Sequence, residues 1–203
     1  MYNLPYFKAG NQQEVIDFMH AHPFVTLVAN GPEFPAATQV PVIIEERDGK
    51  IILRAHVMRK TDHHTALEKN GNVLVIFTGA HTYVSASWYT DKKGGSTWNY
   101  RSVQAQGKLC FTDEANLLDL LTKLTDKFEN NPESPSLVKH LSNDYIQSMM
   151  KAIVAFEIEI TNIDHVFKMS QNRDKESYAS IVTHLSQGDA GATAVAEVMK
   201  SVD

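Results

Sequence analysis

The sequence predicts a mainly β protein with helices (α+β): a closed or nearly closed β-barrel, decorated by helices and finished by helical additions at its C-terminal end. Three observations carry this. The first six or seven strand-like runs follow one another with few intervening helices, as antiparallel hairpins do. Asp48-Gly49 separates two β-rich runs and is a strong hairpin signal. No Gly-rich phosphate loop or dinucleotide fingerprint occurs, so the parallel-sheet nucleotide folds lack their signature.

Asn11 with Glu14 three residues on caps a helix whose apolar face is Val15, Ile16, Phe18 and Met19, ended near His22-Pro23. Phe24 to Asn30 reads as a strand broken by Gly31-Pro32. Strands are expected over Gln39 to Glu45 and Lys50 to Val57, then a short helix from Asp62 to Lys69 capped by Thr61. Val73 to Thr78 and Thr82 to Tyr89 read as two further strands. A long strand from Thr97 to Thr112 alternates Val103, Ala105, Leu109 and Phe111 with polar residues.

Asp113 opens a helix with the stripe Leu117, Leu121, Leu124 and Phe128. A polar loop (Glu129 to Ser136) and a helical stretch from Leu137 to Met150 follow, then an alternating strand from Ala152 to Ile160. Two helices close the chain, one carrying Tyr178, Ile181, Val182 and Leu185, the other Val195, Val198, Met199 and Val202. No repeat, low-complexity tract or linker appears. Residues 1–203 are therefore read as a single domain with helical segments near 113–131, 137–150 and 174–203.

Composition narrows the function. The 203 residues are 43% hydrophobic and 21% charged, ordinary for a globular protein. No apolar run approaches the ~20 residues that span a bilayer. The N-terminus lacks the basic start and apolar stretch of a signal peptide. The single cysteine, Cys110, reads as a buried inert thiol within a strand, in keeping with a cytoplasmic protein. Net charge is −5 and the nineteen basic residues are scattered, so direct binding to DNA lacks the basic face it requires.

Three segments carry chemistry. The first is the polar-aromatic block Tyr83-Val84-Ser85-Ala86-Ser87-Trp88-Tyr89 with Ser96-Thr97-Trp98-Asn99-Tyr100, which holds both tryptophans. Rings with hydroxyls suit a flat, partly polar heterocycle, and equally a dimer interface that buries aromatics. His81, just ahead of the block, is a candidate for ligand contact. The second is Arg54-Ala55-His56-Val57-Met58-Arg59-Lys60-Thr61, which ends a strand and enters a capped helix. It fits a phosphate, although taken alone it also reads as a solvated basic turn. The third is Lys168-Met169-Ser170-Gln171-Asn172-Arg173, where donors of several kinds crowd one turn. His56, His63 and His64 fit no zinc spacing, and no metal site is expected.

These segments, in order, resemble the PaiB-like proteins, FMN-binding negative transcriptional regulators with a split-barrel fold of the pyridoxamine-phosphate-oxidase-like superfamily. The resemblance rests on Met1-Tyr2 with Pro5 and Phe7, His22-Pro23-Phe24-Val25-Thr26-Leu27-Val28, Leu53-Arg54-Ala55-His56 with Arg59, Val75-Ile76-Phe77 through Gly79 and His81 to the aromatic block, Thr97-Trp98-Asn99-Tyr100, Gly107-Lys108-Leu109, Phe156-Glu157-Ile158-Glu159-Ile160, and Phe167 to Arg173. It implies a homodimer with FMN at the subunit interface; haem, accepted by some split barrels, is the rival cofactor.

By position, the resemblance puts Arg54, His56, Arg59 and Lys60 on the phosphate side. His81, Ser85, Ser87, Trp88, Trp98, Asn99 and Tyr100 fall along the ring. Gln171, Asn172 and Arg173 close the pocket, from the partner subunit. The family's turn reads Ala-Arg-Ala-Asn-Pro; here it is Met58-Arg59-Lys60-Thr61-Asp62, which keeps the arginine and leaves the roles of Lys60 and Thr61 open. The implied role is transcriptional regulation or redox and flavin sensing; the alternative is a flavin-dependent oxidoreductase acting on a small molecule.

Overall fold

The computed structural model describes residues 1–201. In order, the elements are α1 (Gln12–Ala21), β1 (Phe24–Ala29), β2 (Ala36–Pro41), β3 (Ile43–Arg47), β4 (Lys50–Met58), α2 (Asp62–Lys69), β5 (Asn72–Val84), β6 (Thr97–Phe111), α3 (Glu114–Glu129), α4 (Asn143–Ala152), β7 (Ile153–Lys168), α5 (Lys175–Leu185) and α6 (Ala190–Lys200). The strands form one seven-stranded sheet in the order β2-β1-β5-β6-β7-β4-β3. β1 runs antiparallel to both β2 and β5, and β4 antiparallel to both β3 and β7. The expected α+β class therefore holds.

Contacts divide the chain into two compact units, one of residues 22–77 and 104–163, the other of residues 1–21, 78–103 and 164–203. Within the first, α3 and α4 pack Leu117, Leu120, Leu124 and Met150 against Ile153 and Ala155 of β7. Within the second, Val84, Ala86, Tyr89 and Met169 meet Ile181 and Leu185 of α5 and Val195, Ala196 and Met199 of α6. Each fully buried aliphatic side chain of this kind contributes about 1.5–3 kcal/mol relative to exposure.

Several local expectations hold to the residue. Asn11 Oδ1 accepts from the Glu14 amide at 2.9 Å, and Thr61 Oγ1 accepts from the His64 amide at 3.3 Å, so both predicted N-caps are present. The Asp48-Gly49 hairpin turns with φ of 52° and 75° at its two residues, the left-handed pair that such a turn requires.

Others are corrected. The single strand expected over Gln39 to Glu45 is two strands: Pro41 has no N–H to continue a ladder, and the buried Val42 donates its amide to Pro23 O at 2.8 Å. The two strands expected over 73–78 and 82–89 are instead the one strand β5 through Gly79, followed by a 3-10 turn at Ala86–Trp88 capped by Ser85. β7 runs to Lys168, eight residues past the predicted end at Ile160.

In α3, Leu120 is buried, while Leu121 is only partly so and Phe128 is exposed, because the face against β7 is narrower than the apolar stripe. The helix expected from Leu137 is a 3-10 turn at Val138–His140, with α4 starting only after the Ser142 cap. Cys110 is exposed, not buried: it alternates with the inward-facing Leu109, and period-two geometry puts it on the other side of β6. Val202 lies outside the described residues.

Candidate functional site

In the unit holding β4, Arg54 and His56 share one face, and both are withdrawn from solvent. Arg54 is only 4% exposed. Its Nη1 donates to Glu45 at 3.0 Å and Asp119 at 2.7 Å, its Nη2 to the Asn116 carbonyl at 3.2 Å, and its Nε lies 3.2 Å from Glu157. Burial opposes this charge, but the hydrogen bonds it donates to Asp119 and Glu45 outweigh it and hold the pKa above the ordinary arginine value. Arg54 was expected at a ligand phosphate; its donors are instead taken by carboxylates of its own unit. His56 has a buried Nδ1 with no partner, and desolvation pushes its pKa down, so the ring is neutral.

The turn that follows has free charge. Arg59 Nε donates to Ile153 O at 2.9 Å, which anchors the side chain, while its terminal nitrogens have no hydrogen bond or ion pair among the described residues. Lys60 is exposed and sits at φ 64°, a left-handed conformation that costs a non-glycine residue about 1–3 kcal/mol. Thr61 Oγ1 donates back to Met58 O at 3.0 Å, and the Lys60 amide points to His64 Nδ1 at 3.4 Å. Asp62 in the first turn of α2 already supplies an anion to the helix end. The positive charge that this turn leaves free is therefore on the side chains of Arg59 and Lys60 rather than at the α2 terminus.

In the other unit the aromatic block divides into rings that face solvent and rings that do not. Trp98 is 53% and Tyr83 49% exposed, and His81 is exposed as well. The His81 and Trp98 rings lie 5.8 Å apart and those of Tyr83 and Trp98 6.3 Å apart. Trp88 is turned away and stacks on His184 at 4.9 Å with 12° between planes. Ser85 and Ser87 share a 2.8 Å hydroxyl bond at the 3-10 turn. Asn99 was expected beside the ring of a ligand but is wholly buried. Its Oδ1 accepts from Ser170 Oγ at 3.0 Å and its Nδ2 reaches Met199 Sδ at 3.5 Å, so it holds the fold together. Tyr100 is half-buried, and burial, with a smaller contribution from Tyr2, raises its pKa.

The turn after β7 accounts for the third segment. Ser170 adopts φ 62°, and the Arg173 amide closes the turn on Ser170 O at 3.0 Å. Gln171 folds back, accepting from the Met169 amide at 2.7 Å and donating to Phe167 O. Asn172 is exposed, and the Arg173 guanidinium lies 4.0 Å from the centre of the Tyr89 ring. Of the four non-glycine residues at positive φ among the described residues, Asp48 and Asn130 occupy an ordinary hairpin and helix end, while Lys60 and Ser170 fall in the two polar turns singled out from sequence.

Lys168 was not among the predicted contacts. Its Nζ donates to Thr97 Oγ1 and lies 5.8 Å and 5.6 Å from the Tyr2 and Phe7 ring centres. Burial, then the charge of Arg173, lowers its pKa. A lysine closing an otherwise apolar, alternating strand was the available signal.

The seven-stranded antiparallel sheet with its helices has the fold of the split-barrel class. The chain belongs to the family described as "Putative FMN-binding domain", which matches residues 1–162, and FMN is the cofactor that family defines. It is 31% identical over 201 residues to "Protease synthase and sporulation protein PAI 2" of Bacillus subtilis (strain 168), covering 98% of this chain and 97% of that protein. Among solved structures, the FAD and heme binding protein from Mycobacterium smegmatis superposes with a TM-score of 0.60 at 19% identity, covering 85% of this chain and 78% of that one. The flavocytochrome Anf3 from Azotobacter vinelandii gives 0.61 at 17% identity, covering 88% and 78%. No helix of the described residues is long and apolar enough to cross a membrane.

Proposed function

We propose that this protein is an FMN-binding split-barrel homodimer, with flavin held where two copies meet, acting in the cytoplasm as a redox- or flavin-responsive regulator. The observation that carries the reading is the Trp98, Tyr83 and His81 group: large rings kept exposed on two adjacent strands, where burial in a core is the ordinary outcome. Such a wall offers a flat heterocycle apolar area, and hydroxyls of Ser85 and Ser87 offer orientation. Arg59 and Lys60 supply unpaired positive charge to a phosphate, with the Arg59 stem fixed through Nε. Lys168, desolvated and positive, suits an electron-rich edge of a ring. Bound FMN supplies one- and two-electron redox chemistry; the protein binds, orients and shields it.

The relative from Bacillus subtilis bears a name connected with protease synthesis and sporulation, which supports a regulatory role. A net charge of −5 argues that regulation runs through a partner or a consumed signal rather than through a DNA duplex. The test is an absorption spectrum of the purified protein, followed by FMN titration with fluorescence and light scattering. Flavin bands, quenching at one FMN per chain and a dimeric mass are expected. No flavin absorbance together with no fluorescence change on adding FMN rejects the reading. NAD(P)H-dependent bleaching of bound FMN at turnover-like rates assigns a flavin oxidoreductase instead of a sensor.

A further inference from the structure

A cavity of about 720 Å³ runs along α5, the turn before it and the end of α6. It is built wholly from residues beyond 162, outside the segment matched by the FMN-binding family. The Tyr178 ring and Val182 form an apolar side, and Arg173, Lys175 and Lys200 bring three cations to it, with the Gln171 amide beside them. Among the described residues no carboxylate belongs to the lining. In a chain where 24 acidic residues outnumber 19 basic ones, that is a local inversion of charge.

Of the neighbouring acids among the described residues, Asp174 and Glu197 are already bonded, and Glu176 is exposed in the first turn of α5. The Asp174 carboxylate is turned to Ser177 and Thr90, at 2.7–3.2 Å. Glu197 pairs with Lys200 at 2.7 Å, but both side chains are about half exposed, and a pair of that kind is weak enough to be exchanged. Arg173 and Lys175 have no ion pair among the described residues. Arg173 lies over the Tyr89 ring with its guanidinium carbon 4.0 Å from the centre, and Tyr178 Oη donates to Met199 O at 2.8 Å, which fixes α5 against α6. Arg173 and the Tyr178 ring are therefore held in place.

We propose that this cavity binds a small organic anion with an apolar body: a carboxylate, phosphate or sulfonate carried on a ring or alkyl chain. The volume falls in the range of small-molecule sites, and an apolar wall facing cations at the rim is the arrangement that such amphiphiles require. A bare inorganic anion would leave Tyr178 and Val182 unused. The site goes beyond the FMN reading and shares only Gln171 and Arg173 with it, so the test uses Lys175 and Lys200, both exposed and replaceable without harm to the core.

The probe is 8-anilinonaphthalene-1-sulfonate, titrated by fluorescence into the full-length protein loaded with FMN. Saturable binding at one site per chain is expected, at least tenfold weaker in the Lys175→Gln/Lys200→Gln protein and retained in Lys175→Arg/Lys200→Arg. FMN affinity stays unchanged in both, and octanoate competes where inorganic phosphate at the same concentration does not. Affinities within twofold across all three proteins overturn the proposal, as does equal binding of uncharged N-phenyl-1-naphthylamine. Displacement of the probe by stoichiometric FMN overturns it too, because the cavity would then belong to the flavin site. A flat FMN titration with normal, lysine-dependent probe binding rejects the FMN reading and leaves this proposal standing.

Discussion

The turn after β4 and the turn after β7 share a plan. Each ends a strand, passes through a left-handed non-glycine residue (Lys60 at φ 64°, Ser170 at φ 62°) and enters a helix through a side-chain cap, Thr61 in one and Asp174 in the other. They differ in where their polar groups go. Around Lys60 the Arg59 terminal nitrogens and the lysine ammonium are left to solvent. Around Ser170 the hydroxyl is bonded to buried Asn99, and the Gln171 amide is bonded to its own turn. Both turns are braced from within, the first by Thr61 Oγ1 to Met58 O and Arg59 Nε to Ile153 O, but only at the first are the charged ends left without partners among the described residues. A strained turn whose charges lack internal partners is the stronger candidate for a ligand contact.

The same contrast separates two arginines five positions apart. Arg54 has four polar partners inside its unit and Arg59 has one, so one is a structural cation and the other is available. Replacing Arg54 by Met should give the largest change. It leaves Glu45, Asp119 and Glu157 with only the half-exposed Lys123 and Arg47 as cations, and because that pairing and some solvent contact remain the expected loss is about 2–3 kcal/mol, at the low end for a broken buried pair. Urea denaturation measures it; a midpoint unchanged from wild type would dissolve the distinction between the two arginines.

Arg59→Ala should leave that midpoint nearly alone and weaken FMN at least tenfold, by loss of charge-assisted contacts that contribute about 1.5–3 kcal/mol each. Fluorescence titration decides it, and equal FMN affinity removes Arg59 from the phosphate. At the second turn, Ser170→Ala keeps the left-handed backbone and deletes the hydrogen bond to Asn99, so a loss of roughly 1–2 kcal/mol is expected. Ser170→Gly relieves the backbone while losing the same bond, and should fall closer to wild type. Thermal melts in which the glycine variant is the weaker of the two would show that strain is not stored there.

The smallest effect is in pH. Burial alone would raise the pKa of Glu45, but Lys123 and Arg54 outweigh it and hold the carboxyl below its ordinary 4.5; hydrogen bonding from Arg54 and Lys123 holds Asp119 below 3.8. A depressed folded pKa means stability that is complete above those ordinary values and lost as pH falls through the folded ones. Wild-type stability should therefore decline below about pH 4.5 more steeply than that of Arg54→Met, which has lost one of the two pairing cations and keeps Lys123. Parallel acid profiles for the two proteins would count against the network.

Much of this was legible in residue order. Asn11, Thr61 and Asp113 announce their helices because a short polar side chain before an apolar stripe satisfies the free amides of the first turn. The polar turns stand out because donors gather where alternation stops. What escaped was context. Pro41 followed by a buried Val42 splits one β-rich run into two strands only because Pro23 offers a carbonyl to the Val42 amide. Strands expected to end at Thr78 and resume at Thr82 are one strand with Gly79 inside it, since β5 is flanked by β1 and β6 in the sheet and a glycine in a paired ladder need not end it.

Local sequence determined the cap positions, the hairpin at Asp48-Gly49, the inward parity of β6 and the presence of cations and rings in three short segments, all of which depend on spacing along one stretch of chain. Only the tertiary structure decided which of those groups remain unpartnered. Arg54 meets acids 9, 65 and 103 positions away in the chain, and Asn99 meets Ser170 and Met199. A side chain's readiness to bind depends on what already surrounds it, and those surroundings are assembled from distant parts of the chain.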